Sequence, residues 1–256
     1  LAFRQQAVVS RKALRSYCGK LAFVAGTIAS MRPFVSMFWG ALKAPSRLPD
    51  SLIHVRTVRH ALEWMQALFG HLHGTLTGAF QSAKDPAPPG TYMATDACPW
   101  GMGGVLFKDY EPVAWFATPL EPTDLRRFRA KLGDSGHNTT WEALALLIGC
   151  RIWLPGSRVE ARVRSDSLSA LRAVVRLSSK SPDLNAIARE IALDQALGQY
   201  SIGVATHIPA IANNLPDALS RLWAPEPATF PQCLAHIPGS VVPHRDAGFW
   251  RTARST

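Results

Sequence analysis

At 256 residues, with 47% hydrophobic and 18% charged residues, the chain is long enough to bury a core as one large domain or two small ones, which excludes a chain too polar to fold. Its formal charge of +10 is uneven: residues 1–84 carry 11 Lys and Arg against 2 Asp and Glu, whereas residues 91–223 carry 14 against 13. A basic surplus gathered in the N-terminal third points to a polyanionic partner, with nucleic acid favoured over a membrane surface, the plainer alternative being a solvated basic face. The four cysteines, Cys18, Cys98, Cys150 and Cys233, lie far apart and without CxxC spacing, so neither a zinc site nor a disulfide framework is indicated and a reducing compartment is expected. The chain opens on Leu1 and shows no secretory signal, which is the pattern expected of a piece of a longer intracellular polypeptide, cytoplasmic or nuclear and not secreted.

From Arg11 to Ser30, Leu14, Tyr17, Cys18, Leu21, Val24, Ala25 and Ile28 recur at helical spacing, and Met31-Arg32-Pro33 should end the helix. The apolar run Leu21 to Leu42 raises the question of a membrane span, but Arg32-Pro33 interrupts it, so two packed helices are expected, the second from Phe34 to about Ala44. A connector, Ala44 to Asp50, precedes an amphipathic helix from Val55 to about Leu72, completing a small basic helical module over residues 1–84. Lys84 to Gly90, KDPAPPG, marks a domain boundary with a linker over 85–90.

The period then changes from helical to alternating, predicting strands at Tyr92 to Ala97, Gly103 to Lys108 and Pro112 to Thr118 in an antiparallel meander. Pro119 to Asn138 is a long connection whose Arg126, Arg127, Arg129 and Lys131 mark either a solvated short helix or a nucleic-acid contact. Thr139 or Thr140 should cap a helix to about Leu154, with Glu142 in its first turn. Val159 to Ser165 reads as a strand, Ser167 to Leu177 as a helix, Ser181-Pro182-Asp183 as the start of a helix stopping near Gly198, Gln199 to Ile208 as the last strand and Leu215 to Trp223 as a closing helix. Residues 224–256 are proline-containing and aperiodic, as in a tail or a link. The resulting order, β-β-β-α-β-α-α-β-α, predicts an α/β fold with a mixed sheet.

Asp96, Glu142, Asp166 and Asp217 each fall at an element end, where side chains from separate elements can converge on one edge of a sheet. Four carboxylates so gathered would repel one another unless divalent cations neutralised them, and an all-oxygen donor set selects magnesium or manganese over zinc. The structural alternative treats Glu142 and Asp217 as helix N-terminal acids and Asp96 and Asp166 as turn or cap acids.

TDACPWGMGGVLF around Asp96, TWEALALLIGCRIWL around Glu142, VRSDSLSAL around Asp166 and HIPAIANNLPDALSR around Asp217 resemble, in order, the four motifs of the ribonuclease H domain of retrotransposon reverse transcriptases of the LTR- or DIRS-like kind. The resemblance covers about Thr91 to Trp223, and RKALRSYCGKLAFVAGTIASMRPFVSMFW more loosely resembles the thumb and connection helices of the same polyproteins. It implies a ribonuclease H-like mixed five-stranded sheet with flanking helices over 91–223, preceded by the small helical module. It also implies that Asp96, Glu142, Asp166 and Asp217 hold two Mg²⁺ ions, Mn²⁺ being the other candidate, and hydrolyse the RNA strand of an RNA/DNA hybrid. The implied partners are that hybrid and the rest of the reverse transcriptase polyprotein, with no membrane. Gly101, Gly103 and Gly104 would then allow close approach at the first hairpin or to the hybrid, unless they serve only the turn.

The chain departs from the family pattern in several places. Ala210 and Ile211 replace a glycine and a basic residue, which implies a strained turn and a lost phosphate contact, and Pro216 precedes Asp217. The loop from His207 to Asp217 is too short for a mobile catalytic histidine, so His207 reads as structural, and Ser178 to Ser181 leaves no room for a basic handle, a role the N-terminal module would take over. The competing readings are a catalytically silent module that binds template and primer and, further off, an integrase-like DNA-cutting relative.

Overall fold

The structure, a computed structural model, describes residues 7–44, 49–71, 85–157 and 159–251. Within the N-terminal part, β1 (Val8–Ser10) pairs antiparallel with β2 (Leu52–His54) and closes a group of three helices, α1 (Arg11–Thr27), α2 (Arg32–Lys43) and α3 (Val55–His71). Ser10 caps α1 by accepting from the Ala13 N–H. Pro33 begins the second helix, sitting in the first turn of α2, where its missing N–H leaves nothing unpaired, and a 3₁₀ turn, Ala29–Met31, links α1 to α2. Phe34 packs on Trp64 of α3, both fully buried. The two three-residue strands are not among the expected elements, because so short a run shows no readable alternation. The expected connector Ala44–Asp50 lies partly outside the described residues, and Leu72 and Lys84 lie wholly outside them.

The main sheet has the meander β4 (Tyr92–Cys98), β5 (Gly101–Lys108) and β6 (Glu111–Pro119), with β7 (Val159–Ser165) parallel to β4 and β8 (Ile202–His207) parallel to β7. The strand order is therefore β6-β5-β4-β7-β8. A two-residue strand, β3 (Asp85–Pro86), lies parallel to the start of β7, and the Ala87 carbonyl accepts from Arg162, so the segment expected as a linker is held against the sheet.

Helices α4 (Pro122–Phe128), α5 (Asn138–Trp153), α6 (Leu168–Arg176), α7 (Pro182–Ala196) and α8 (Asn214–Ser220) complete the fold. The long connection before α5 thus contains a short helix, started by a reciprocal cap in which Glu121 and Asp124 exchange side-chain to backbone bonds. α5 is buried on almost every side, lying against β4 and β5 and covered by α6 and α7. α8 covers β4 and β5 from the opposite face: in alternating β5, Gly103 faces α8 while Gly104 faces Phe116, whose ring meets Trp153 of α5. This is the mixed α/β architecture that the ribonuclease H resemblance implies. α2 and α3 rest on α7, so the N-terminal helices share one hydrophobic core with the sheet.

Residues 224–251 contain a 3₁₀ turn, Gln232–Leu234, and a single bridge from Gly239 to Trp115, and they are packed, which corrects the expectation of a tail. Trp115 donates to the Ile237 carbonyl at 2.9 Å, Trp153 donates to Ser240 Oγ at 2.9 Å, and buried Arg245 pairs with buried Asp124 at 2.7 Å. Among the described residues no helix is long and apolar enough to cross a membrane.

Candidate metal centre

Asp96 is the fifth residue of β4, opposite Gly103, and only 4% exposed. What buries it is α8, whose seat on the sheet depends on the missing side chains of β5. A Cβ on Gly103 would stand 2.5 Å from Leu219 Cβ and 2.7 Å from the Pro216 carbonyl, and one on Gly101 would stand 2.7 Å from the Ser220 carbonyl. These glycines therefore admit a helix, and their close approach is to α8. With α8 seated, Ser220 Oγ reaches Asp96 Oδ2 at 3.1 Å.

Glu142 is placed by α5. The 3₁₀ turn Ser135–His137 runs directly into this helix, so it begins at Asn138 without Thr139 or Thr140 as its cap, and Glu142 falls at the start of the second turn and not in the first. That offset removes most of the helix-dipole explanation for an acid at this position. Its carboxylate accepts from Ser165 Oγ at 3.1 Å. Asp166 follows β7 directly, and Ser167 after it caps α6 by accepting from the Ala170 N–H. Asp166 Oδ1 is buried and has no hydrogen-bond partner, while the Asp166 carbonyl contacts His207 Nε2 at 3.0 Å.

Three of the four expected acids converge: Asp96, Glu142 and Asp166 each offer an oxygen, all within 4.8 Å of one another. Asp217 stands apart from this trio. It occupies the first turn of α8, its side chain is 41% exposed, and it accepts from Arg221 Nε, four residues on, at 2.6 Å. Its charge nevertheless reaches the cluster. Burial, then Glu142, Asp166 and Asp217, push Asp96 up to about 8 against the Ser220 hydrogen bond, and burial with Asp166 pushes Glu142 up to about 7 against that of Ser165. Asp96, Glu142 and Asp166 could together hold a cation: the Asp166 Oδ1 is buried without a hydrogen-bond partner, and the all-oxygen donors fit a hard divalent ion.

The supporting hydroxyls were not legible as such. Ser165 and Ser220 each lie one or three residues from an acid, and the Ser220 Oγ also lies 2.9 Å from the Asp217 carbonyl, so its one proton is shared between that carbonyl and Asp96. Asn213, buried, donates to the Thr95 carbonyl at 3.1 Å and ties the start of α8 to β4 beside Asp96. Among the described residues the His207 ring meets the Asp166 backbone carbonyl. Ala210 lies in a 3₁₀ turn and is not among the residues with left-handed backbone, so the strain expected there does not arise, and Ile211 is 88% exposed.

Among solved structures the chain is similar to ribonuclease H1 from the halophilic archaeon Halobacterium salinarum NRC-1, with 18% sequence identity and a TM-score of 0.36, over 50% of this chain and 92% of that one. No protein-family model and no curated protein matches the chain.

Proposed function

We propose that this protein is a metal-dependent ribonuclease H that hydrolyses the RNA strand of RNA/DNA hybrids as part of a retroelement reverse transcriptase. The observation that carries the reading is the convergence of Asp96, Glu142 and Asp166 from three separate elements within 4.8 Å. A fold gains nothing by gathering carboxylates in a buried corner unless a cation joins them. The preference for a hybrid and the retroelement setting rest on the four motifs around the acids.

Asp96, Glu142, Asp166 and Asp217 would hold the ions, with Asp217 exchanging Arg221 for a cation. Two bound magnesium ions would supply an activated water and a counter-charge for the leaving oxygen. The chain's own contribution is placement. Ser220 and Ser165 hold the carboxylates of Asp96 and Glu142, and Gly101 and Gly103 let α8 close over the site. The 2′-hydroxyl of the cut strand is the group that distinguishes RNA from DNA.

The test is a comparison of labelled RNA/DNA hybrid, double-stranded RNA and double-stranded DNA of one sequence, each with Mg²⁺ and with EDTA. Cleavage of the hybrid's RNA strand alone, abolished by EDTA, is expected. An intact hybrid that is nevertheless bound would identify a silent template-binding module, and cutting of the DNA duplex would identify a different nuclease.

A further inference from the structure

A cleft of about 950 Å³ opens between the N-terminal helices and the helices of the main domain. Its walls come from α2, α3, the end of α4, the α6–α7 connection and α7, and six cations line it: Arg56, Arg59, Arg127, Arg129, Lys180 and Arg189. Only Glu63 and Asp183 oppose them. The guanidinium of Arg127 lies 3.6 Å from the centre of the Trp250 ring and that of Arg189 lies 5.0 Å from the centre of the Trp64 ring, so two of the planar cations rest on the faces of buried aromatic rings. Arg56, Arg59, Arg129 and Lys180 are exposed and make no ion pair with the described residues. Arg129 also ends α4 with φ 53°, a left-handed backbone that costs a side-chain-bearing residue about 1 kcal/mol, and no hydrogen bond of its side chain offsets this among the described residues.

We infer that this cleft binds the sugar-phosphate backbone of the duplex that reaches the metal centre, gripping it by charge away from the point of cutting. The inference rests on reading the chain as a nuclease for RNA/DNA hybrids. Phe128, in the cleft wall, packs edge-on against Trp141 at 5.6 Å, and Trp141 immediately precedes Glu142, so one buried aromatic contact joins the cleft to the helix turn that carries a metal-site acid. A small anion would call for buried donors converging on a point. Here the free cations are exposed and spread over separate elements, which suits a chain of phosphates and the release of its counterions. The placement also gives the N-terminal basic surplus a use, since Arg56 and Arg59 of α3 form one wall.

The experiment measures binding of the full chain to a short fluorescent RNA/DNA hybrid in EDTA, across a range of salt, for wild type, the triple variant Arg59→Ala/Arg129→Ala/Lys180→Ala, the matching charge-retaining triple variant Arg59→Lys/Arg129→Lys/Lys180→Arg, and Asp96→Asn. The alanine variant should bind at least about tenfold more weakly and lose about 2–3 from the slope of log affinity against log salt, close to 0.9 for each phosphate contact removed. The charge-retaining variant should keep the wild-type slope, Asp96→Asn should bind no worse than wild type, and charge-matched poly-glutamate should fail to displace the hybrid. Melting temperatures show whether the variants remain folded. Unchanged affinity and slope in a folded alanine variant, or displacement by poly-glutamate as effective as by unlabelled hybrid, would overturn the inference. If the variant binds weakly but wild type never cuts, the nuclease reading alone fails; if wild type cuts and the variant binds normally, the cleft reading alone fails.

Discussion

Asp96 and Glu142 hold protons that ordinary carboxyls release, because burial and neighbouring carboxylates raise them to about 8 and about 7. Both folded values lie above the unfolded ones, so between about pH 4 and about pH 8 the folded protein binds more protons than the unfolded chain, and stability contributed by these groups falls as pH rises through that window. In metal-free protein, Asp96→Asn should therefore gain melting temperature relative to wild type as pH is raised from 5 to 8, and added Mg²⁺ should raise the wild-type melting temperature more at pH 8 than at pH 5. A wild-type advantage that grows with pH in EDTA would contradict this. Removing the carboxylate also removes the charge that opposes its neighbours, so the same variant should show a smaller response to Mg²⁺ at every pH.

Among the elements, α8 decides whether the acids form a site. Gly103→Ala would drive a methyl into Leu219 and the Pro216 carbonyl, neither of which is a flexible side-chain end, so α8 must lift and carry Ser220 away from Asp96. The expected cost is about 1–3 kcal/mol by chemical denaturation, with loss of cleavage, whereas Gly26→Ala, on a face of α1 with nothing within 4 Å, should be neutral or stabilising by about 0.5–1 kcal/mol. Equal effects of the two substitutions would remove the glycines from the account of the site. Strands β4 to β7 and most helices were legible because they run for seven or more residues, and the caps Ser167 and Ser181 work as expected. Glu142 was placed one turn early because a threonine pair resembles a cap, while the preceding 3₁₀ turn had already begun the helix. Ser165 and Ser220 were unreadable because a hydroxyl that positions a carboxylate across the chain leaves no local pattern, and the separation of Asp217 from the trio depends on Arg221, an ordinary helix-surface pair by spacing.

At the scale of the whole molecule, a segment without periodic signal completes the fold. The C-terminal stretch is anchored by single residues: Arg245 donates to Asp124, Thr118 and the Pro119 carbonyl, and Arg151 joins Glu190 and Asp194 of α7 while contacting the ring of Phe249. Such anchoring joins residues 98 to 127 positions apart, Arg151 to Phe249 and Arg245 to its partners, which composition cannot show. Arg245→Ala would strand Asp124, whose side chain is 0% exposed, and should cost about 3–5 kcal/mol in denaturant unfolding, while Arg245→Ala/Asp124→Ala should recover much of it. A cost below about 1 kcal/mol for the single variant, the level of a surface pair, would mean that the segment detaches freely. Whether the gathered acids form a metal-dependent nuclease site is tested most directly by the rate of RNA-strand cleavage in a labelled RNA/DNA hybrid with Mg²⁺ for wild type, Asp96→Asn, Glu142→Gln and Asp166→Asn. Cleavage by wild type and a loss of at least about a hundredfold in each variant, with hybrid binding retained, is the predicted result; an intact RNA strand with wild type, or variants that cut as fast as wild type, would contradict it.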